Sequence, residues 1–251
     1  KSGGGSGAMA PGGVNLFELL PADSTAVFAV NFEKFAGLDM FDKIIKESEA
    51  NEEVHEGPFK NYQDFVTKTG IDPRKDIHGM AVAVTSPLMA AGAEPDVVVV
   101  MSATYNKDSI LALIKKEGAE FAEDNYNGTP LYKFKDKKGK DMAFSFVKDG
   151  VVAAGTPANV QTVIDLSAGK GDNVLKNAGI KKHLDNFKSG VIASFVMEFP
   201  EQAKKVQDGG MFKFDLSKAE ALVGFTDYSG NAWNIEMAMI SANPEGNQQF
   251  V

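Results

Sequence analysis

The feature that most constrains the fold is a run of tight-turn signals between residues 120 and 155. Asn127-Gly128 and Asp149-Gly150 each separate segments in which apolar and polar residues alternate, and a Lys-Lys-Gly loop lies between these two turns. Asn-Gly and Asp-Gly favour the two-residue turns that join antiparallel strands. We therefore predict an antiparallel meander of four strands, at residues 120–126, 129–135, 141–148 and 151–155.

Strand and helix patterns surround this meander. Residues 25–32 (TAVFAVNF) and 191–198 (VIASFVME) each read as a strand that leads into a helix. Hairpins combined with helices indicate an α+β protein, in which antiparallel sheets carry helices packed on one face. Residues 97–100 are apolar on both sides, so this strand should be central. Further strands are predicted at residues 78–85, 96–105, 219–228 and 233–242, a turn at 71–77, and helices at 14–20, 38–50, 58–70, 106–118, 156–166, 173–187 and 199–206.

The order of elements appears twice in the sequence. Residues 80–103 and 220–242 both read as strand, turn, strand, and they end in Met-Ser-Ala and Ile-Ser-Ala. This pattern predicts an internal duplication of a β-α-β-β unit, with chance similarity of two strand pairs as the alternative. The predicted organisation is a flexible tether at 1–13, a first α+β unit with the meander at 14–188, and a second, shortened unit at 189–251.

The first thirteen residues, KSGGGSGAMAPGG, are rich in Gly and Ser. Such a segment buries too little surface to offset its conformational entropy, so it should behave as a flexible tether. One interpretation is the remainder of a bacterial lipoprotein behind its lipidated cysteine; the other is a remnant of cloning. The first interpretation predicts an exported protein, periplasmic or anchored at the outer membrane by an N-terminal lipid.

Composition excludes several classes of function. The chain has 251 residues, a formal net charge of −8 and no cysteine, and Arg74 is its single arginine. Absence of cysteine excludes disulfides, thiolate chemistry and Cys-ligated zinc. Acidic charge and the shortage of arginine argue against nucleic-acid binding. No apolar run approaches the roughly 18 residues that a membrane-spanning helix needs.

The titratable residues form no recognisable catalytic or metal-binding motif. His55, His78 and His183 lack a Ser or Asp partner that the sequence itself reveals, and a lone Glu-x-x-His at Glu52 does not make a di-iron site. A calcium-loop-like segment before Gly128 lacks the glutamate that closes such loops. We therefore expect no enzymatic activity, no cofactor and no metal.

Two apolar loops are the candidate contact surface. Leu88 and Met89 lie between two predicted strands, and Met211 and Phe212 lie in a similar loop. Exposed apolar loops mark contact surfaces for partners, so we expect these four residues to bind a protein partner in the cell envelope. A binding module for a small apolar ligand, held between sheet and helices, is the alternative, and a hydrolase with a carboxylate pair is a third class.

Two segments resemble a broad group of uncharacterised bacterial exported proteins and lipoproteins. The first is the Leu-Pro-Ala-Asp start at Leu20 with the strand that follows; the second is VAAGTPANV, residues 152–160. The resemblance implies an envelope-facing α+β protein with no assigned chemistry, and it supplies no functional residues.

Overall fold

The computed structural model describes residues 9–10, 14–50, 62–86, 94–116, 120–184, 190–199, 218–241 and 248–250. In these residues the chain forms one large antiparallel sheet together with α-helices, so the α+β prediction is confirmed. The sheet has eleven strands, in the order β13-β12-β11-β10-β3-β4-β5-β9-β8-β7-β6. The strands are β3 Ala26–Asn31, β4 Ile77–Val84, β5 Val97–Ala103, β6 Ala122–Tyr126, β7 Thr129–Lys135, β8 Asp141–Lys148, β9 Val151–Gly155, β10 Ala193–Glu198, β11 Ala219–Ser229, β12 Ala232–Ser241 and β13 Gln248–Phe250; β1 Met9–Ala10 and β2 Val14–Asn15 form a separate pair.

Helices connect the strands. The helices within the described residues are α1 Phe32–Ala36, α2 Asp39–Ala50, α3 Tyr62–Thr69, α4 Pro73–Asp76, α5 Lys107–Lys116, α6 Pro157–Ser167 and α7 Ala178–Leu184, with 3-10 turns at Leu16–Leu19 and Val174–Lys176. No helix among these residues is long and apolar enough to cross a bilayer. A small second core joins α1, α2 and α3 through Phe41, which is fully buried, with Phe32 and Phe35 edge-on to it.

The predicted meander is confirmed. Strands β6 to β9 run antiparallel in sequence order, and the turn between β6 and β7 has positive φ at both Asn127 and Gly128. Positive φ at both central residues defines the type I′ turn that an Asn-Gly pair favours. The hairpin tip is tied to α6, because the Tyr126 hydroxyl and the Asn127 amide both donate to the carboxylate of Asp165, at 2.8 Å each.

The main core lies between one face of the sheet and α6, α7 and the two 3-10 turns. Val27, Val98, Val100 and Ala153 point to this face and are fully buried, and Val160 of α6 packs with them. We call this side of the sheet the core face. Every second residue of each strand points to the opposite side, because side chains alternate along a strand.

The structure corrects several predicted details. Helix 173–187 is divided into the 3-10 turn at Val174 and α7, and the described part of it ends at Leu184. The predicted turn at 71–77 contains α4, where Asp72 caps the helix and Pro73 takes its first position. The lead-in at 14–20 is a 3-10 turn, because Asn15 caps Phe17 and Pro21 follows. Residues 122–125 of the edge strand β6 are exposed on both faces, whereas Tyr126 packs against the main core.

Two further corrections concern the faces of the sheet. The prediction of helices on one face is wrong: Lys107 of α5 lies 5.9 Å from the centre of the Tyr132 ring, and Tyr132 faces away from the core face. Strand β5 is interior to the sheet, as predicted, yet its valines alternate. Val98 and Val100 are buried, whereas Val97 and Val99 are only half-buried. The face opposite the core is thus incompletely covered.

Candidate functional site

Most of the large apolar side chains exposed in the described residues lie on the face opposite the core. Four such side chains are exposed in the described residues. Three of them share this face and have exposed fractions of 36% (Phe28), 42% (Trp233) and 53% (Ile235), whereas the fourth, Phe65, lies on α3. Strand register places them together, because Phe28 pairs with Phe195, Phe195 with Gly224, and Thr226 with Ile235. We call the surface formed by Phe28, Phe195, Tyr228, Trp233 and Ile235 the open face.

Two aromatic pairs organise the open face. The rings of Phe28 and Phe195 stack across β3 and β10 with centroids 5.9 Å apart, and Tyr228 and Trp233 meet edge-on at 5.4 Å. Gly224 makes room for the first pair: a Cβ at this position would lie 2.6 Å from the Phe195 ring. The ring of Phe195 therefore lies over bare backbone of β11.

The strands that form the open face carry no charge on that side. Away from the strand ends, from residues 233–239 of β12 to residues 97–101 of β5, the residues with this orientation are Ala, Val, Leu, Ile, Met, Phe, Tyr, Trp, Thr and Gly. Nearby charged side chains point to the opposite side of the sheet or lie at strand ends. One of them is Asp227, whose carboxylate is 2.6 Å from the ammonium of Lys34. That ion pair is also the main reason why the pKa of Asp227 is lowered. An uncharged aromatic centre with a polar rim is the usual anatomy of a protein-binding surface.

A second candidate site surrounds His78 at one end of the sheet. The β4–β5 register shifts between Ile77 and Gly79, so His78 is the extra residue of a β-bulge. Bulges re-aim a side chain and are common beside functional sites. The Nδ1 atom of His78 lies 2.6 Å from a carboxylate oxygen of Glu33, and its Nε2 atom lies 3.1 Å from the hydroxyl of Thr104.

An open cavity of about 640 Å³ adjoins this histidine. Tyr105 and Phe146 form its aromatic wall, with ring centres 5.2 Å apart, and Lys107 and Lys148 also line it. The Tyr105 hydroxyl donates to the carbonyl of Val151 at 3.3 Å. Burial, and secondarily Asp149, raises the pKa of this phenol, so Tyr105 stays neutral.

A third polar group lies at a bulge of β11. The register with β12 shifts between Ala219 and Ala221, and the extra residue, Glu220, accepts from Lys182 at 3.1 Å. Burial is the main cause that raises the pKa of nearby Glu198 and lowers the pKa of His183. The Nε2 atom of His183 is buried without a hydrogen-bond partner.

The residues predicted as a partner surface lie outside the described part of the chain. These residues are Leu88, Met89, Met211 and Phe212. His55 also lies outside the described residues. The calcium-loop-like segment before Gly128 forms the β6–β7 hairpin. Thr156, the first residue of the helix predicted at 156–166, caps α6 without a side-chain hydrogen bond. No group of three metal-ligating side chains occurs within the described ranges.

Sequence reasoning missed both the open face and the partners of His78. Glu33 and Thr104 stand 45 and 26 residues away from His78, so no local motif connects the three. The bulge that turns His78 toward them is a property of strand register. The sequence does contain a signal for the open face, because strands β3, β5 and β10 are largely apolar at successive positions. The signal is ambiguous, because a strand that is covered on both sides has the same pattern.

These features define an α+β protein with one large antiparallel sheet, which has one covered face and one partly open face. A family model for a protein of unknown function, DUF3352, matches residues 15–210, and the chain belongs to this family. None of the curated proteins compared with the sequence matches it.

The fold is similar to solved structures of TP0453. Crystal form I has a TM-score of 0.50 at 10% identity and covers 92% of this chain and 80% of its own. Crystal form IV has a TM-score of 0.52 at 8% identity, with 89% and 79% covered. At such low identity the likeness concerns the fold alone.

Proposed function

We propose that the protein binds another protein through the open face and serves as a binding or scaffolding component of the bacterial cell envelope. The observation that carries this proposal is the uncharged side of strands β12 to β5, on which Phe28, Trp233 and Ile235 remain exposed. Trp and Tyr are, with Arg, the residues enriched at the energetic centres of protein interfaces, and Phe is enriched in interfaces generally. Monomeric proteins rarely leave large apolar patches uncovered.

The chemistry of the surface favours a protein over a lipid bilayer. The hairpin of β11 and β12 carries Glu220, Asp227 and Glu236 and has neither Lys nor Arg, and the whole chain has a net charge of −8. These carboxylates lie beside the open face and not on it, and an anionic bilayer, which attracts Lys and Arg, would repel the hairpin that carries them. A partner that presents uncharged aliphatic or aromatic side chains fits it instead.

The shape of the surface favours a macromolecule over a small apolar ligand. Small ligands are held in concave pockets that enclose most of their surface. The open face is one side of a β-sheet, and Ile235 and Trp233 stand on it with about half of their area in solvent. A flat area of this kind is complementary to another protein surface.

Export to the envelope is part of the proposal and rests on the sequence. Its support is the resemblance of the Leu-Pro-Ala-Asp segment at Leu20, and of residues 152–160, to bacterial exported proteins and lipoproteins. Fractionation of the source cells tests it: the protein is expected with the periplasm or outer membrane, and recovery with the cytosol would contradict it.

Site-specific photocrosslinking tests the binding proposal. A benzophenone amino acid replaces Trp233 or Phe28 on the open face, and Ala158, exposed on α6 behind the core face, provides the matched control. We expect one defined protein adduct from positions 233 and 28 in the source cells and none from position 158. The proposal fails if positions 233 and 28 give lipid adducts, self-crosslinked dimers or the same products as the control.

The loop surface predicted from sequence remains part of the same proposal. Photocrosslinkers at Met89 and Met211 test whether these loops extend the contact area. Adducts with the partner captured at position 233 are expected there, and adducts with unrelated proteins would separate the loops from the interface.

We also propose that the sheet contains a duplicated unit. Support comes from the strand register. Strands β3 and β10 pair antiparallel, with Phe28 opposite Phe195. On its other side, β3 is followed in the sheet by the antiparallel pair β4–β5, and β10 by the antiparallel pair β11–β12. The bulges at His78 and Glu220 fall at equivalent positions of the two pairs. By this register Ala103 corresponds to Ser241, one position earlier than the sequence comparison suggested. A structure of a family member with the two bulges at unrelated positions would count against duplication.

A further inference from the structure

We propose that Glu33, His78 and Thr104 form a carboxylate–imidazole–hydroxyl triad that hydrolyses carboxylic esters in the cavity beside them. This inference is independent of the open face. It departs from the expectation of a protein without catalytic activity, which rested on the absence of a local sequence motif.

The hydrogen bonds define the roles of the three groups. Because the carboxylate of Glu33 can only accept, the proton on the His78 ring lies on Nδ1, 2.6 Å away. The lone pair on Nε2 then accepts the proton of the Thr104 hydroxyl at 3.1 Å. This is the order of acid, base and nucleophile found in triads on unrelated folds, which are recognised by geometry rather than by sequence position.

The fold holds the base and leaves the nucleophile accessible. The side chain of His78 is 13% exposed and sits on a β-bulge, whereas Thr104 follows the end of β5 and is exposed at the cavity. The backbone of Thr104 is fixed, because its N–H donates to the carbonyl of Asp76 at 2.7 Å. A substrate can therefore approach the Thr104 oxygen without displacing the imidazole.

The reaction balances without any co-reactant except water. The Thr104 oxygen attacks the ester carbonyl carbon while its proton passes to Nε2 of His78, and the tetrahedral oxyanion collapses as the alcohol leaves with that proton. Water then attacks the acyl-threonine with His78 again as the base, which releases the carboxylic acid and restores the hydroxyl. Lys107 and Lys148 line the cavity together with Asp149. The proposal assigns these two lysines as the source of positive charge for the oxyanion.

The walls of the cavity indicate the class of ester. Tyr105 and Phe146 present an aromatic surface, and the opening to solvent admits the remainder of a larger molecule. We infer that the preferred substrates are esters with an aromatic or short apolar group next to the scissile bond.

The experiment uses the full chain with p-nitrophenyl acetate as substrate and a fluorophosphonate as covalent probe. We expect a phosphonyl adduct on Thr104 in peptide mass spectrometry. Thr104→Val and His78→Gln should each lower kcat/KM by about 100-fold or more, whereas Thr104→Ser should retain activity. Thr162→Val is the matched control, because the Thr162 hydroxyl donates to the carbonyl of Ala158 on α6, far along the chain from this site.

Glu33 is a positioning residue, and its test separates orientation from binding. Glu33→Gln should lower kcat at least about tenfold with KM unchanged, because the amide no longer holds the Nδ1–H tautomer. The proposal is overturned if the probe labels lysines but not Thr104, or if Thr104→Val turns over at the rate of the Thr162→Val control. Crosslinking from position 233 should be the same in the Thr104→Val variant, so failure of one proposal does not imply failure of the other.

Discussion

Replacing Gly224 by alanine tests the packing at the centre of the open face. An added Cβ would lie 2.6 Å from the Phe195 ring and 2.8 Å from the carbonyl oxygen of Glu236. The ring can tilt away only by leaving its stack with Phe28, and the carbonyl is fixed by the pairing of β11 with β12.

Two opposing effects determine whether this substitution raises or lowers the free energy of unfolding. Alanine loses less backbone entropy than glycine in a strand, which favours the variant by about 0.5–1 kcal/mol. Overpacking of this kind costs about 1–3 kcal/mol. The two effects combine to a loss of roughly 0–2.5 kcal/mol. Because the close contact with Glu236 is to backbone, which cannot move as a side chain can, Gly224→Ala should lower the free energy of unfolding by about 1–2 kcal/mol, although intrinsic propensity alone predicts a gain.

Urea unfolding followed by circular dichroism measures this change as a lower midpoint with an unchanged m-value. The double variant Gly224→Ala with Phe195→Ala is the control, because a smaller side chain at 195 removes the clash with the ring. Its destabilisation should fall short of the sum of the single variants by at least about 0.5 kcal/mol. A Gly224→Ala protein that is as stable as the parent, or strict additivity in the double variant, would refute the packing argument.

Three further substitutions test other parts of the structure. Ile180→Ala in the core should lower the free energy of unfolding by about 2–5 kcal/mol, whereas Ile235→Ala on the open face should lower it by less than about 1 kcal/mol. Urea unfolding measures both changes, and equal losses would show that the open face is buried. Asp165→Ala should lower stability and increase hydrogen exchange in the β6–β7 hairpin, because the Tyr126 hydroxyl and the Asn127 amide lose their shared acceptor; unchanged exchange would contradict this. Burial raises the pKa of Glu198, so the native state binds its proton more tightly than the unfolded state, and stability falls as pH rises through that pKa. Glu198→Gln should therefore raise Tm relative to the parent near pH 8 but not near pH 3, and the opposite dependence would refute the burial argument.

The hairpins and most elements could be predicted because their signals are local. Asn127-Gly128 requires positive φ at two successive residues, and the alternating segments around it permit only one register. Gly155 ends β9 where the sequence predicts, and Pro157 then begins α6. In these places local preference and tertiary structure agree.

The faces of the sheet could not be predicted because they depend on distant segments. Val97 and Val98 differ in burial although both are valines in one strand, since only the side of Val98 is covered by the core helices. The same limit applies to the His78 site. A one-residue bulge in β4 decides that this imidazole meets Glu33 and Thr104, and nothing near His78 in the sequence specifies that bulge.

Trp233 is the only tryptophan of the chain and lies on the open face, 42% exposed, so its fluorescence tests the central claim directly. In the purified protein we expect emission typical of a hydrated indole and ready quenching by acrylamide. Once the crosslinked or co-purified partner is bound, emission should shift to shorter wavelength and quenching should fall. An indole that is already shielded in the isolated protein, or one whose quenching stays the same in the complex, would contradict the assignment of this face as the binding surface.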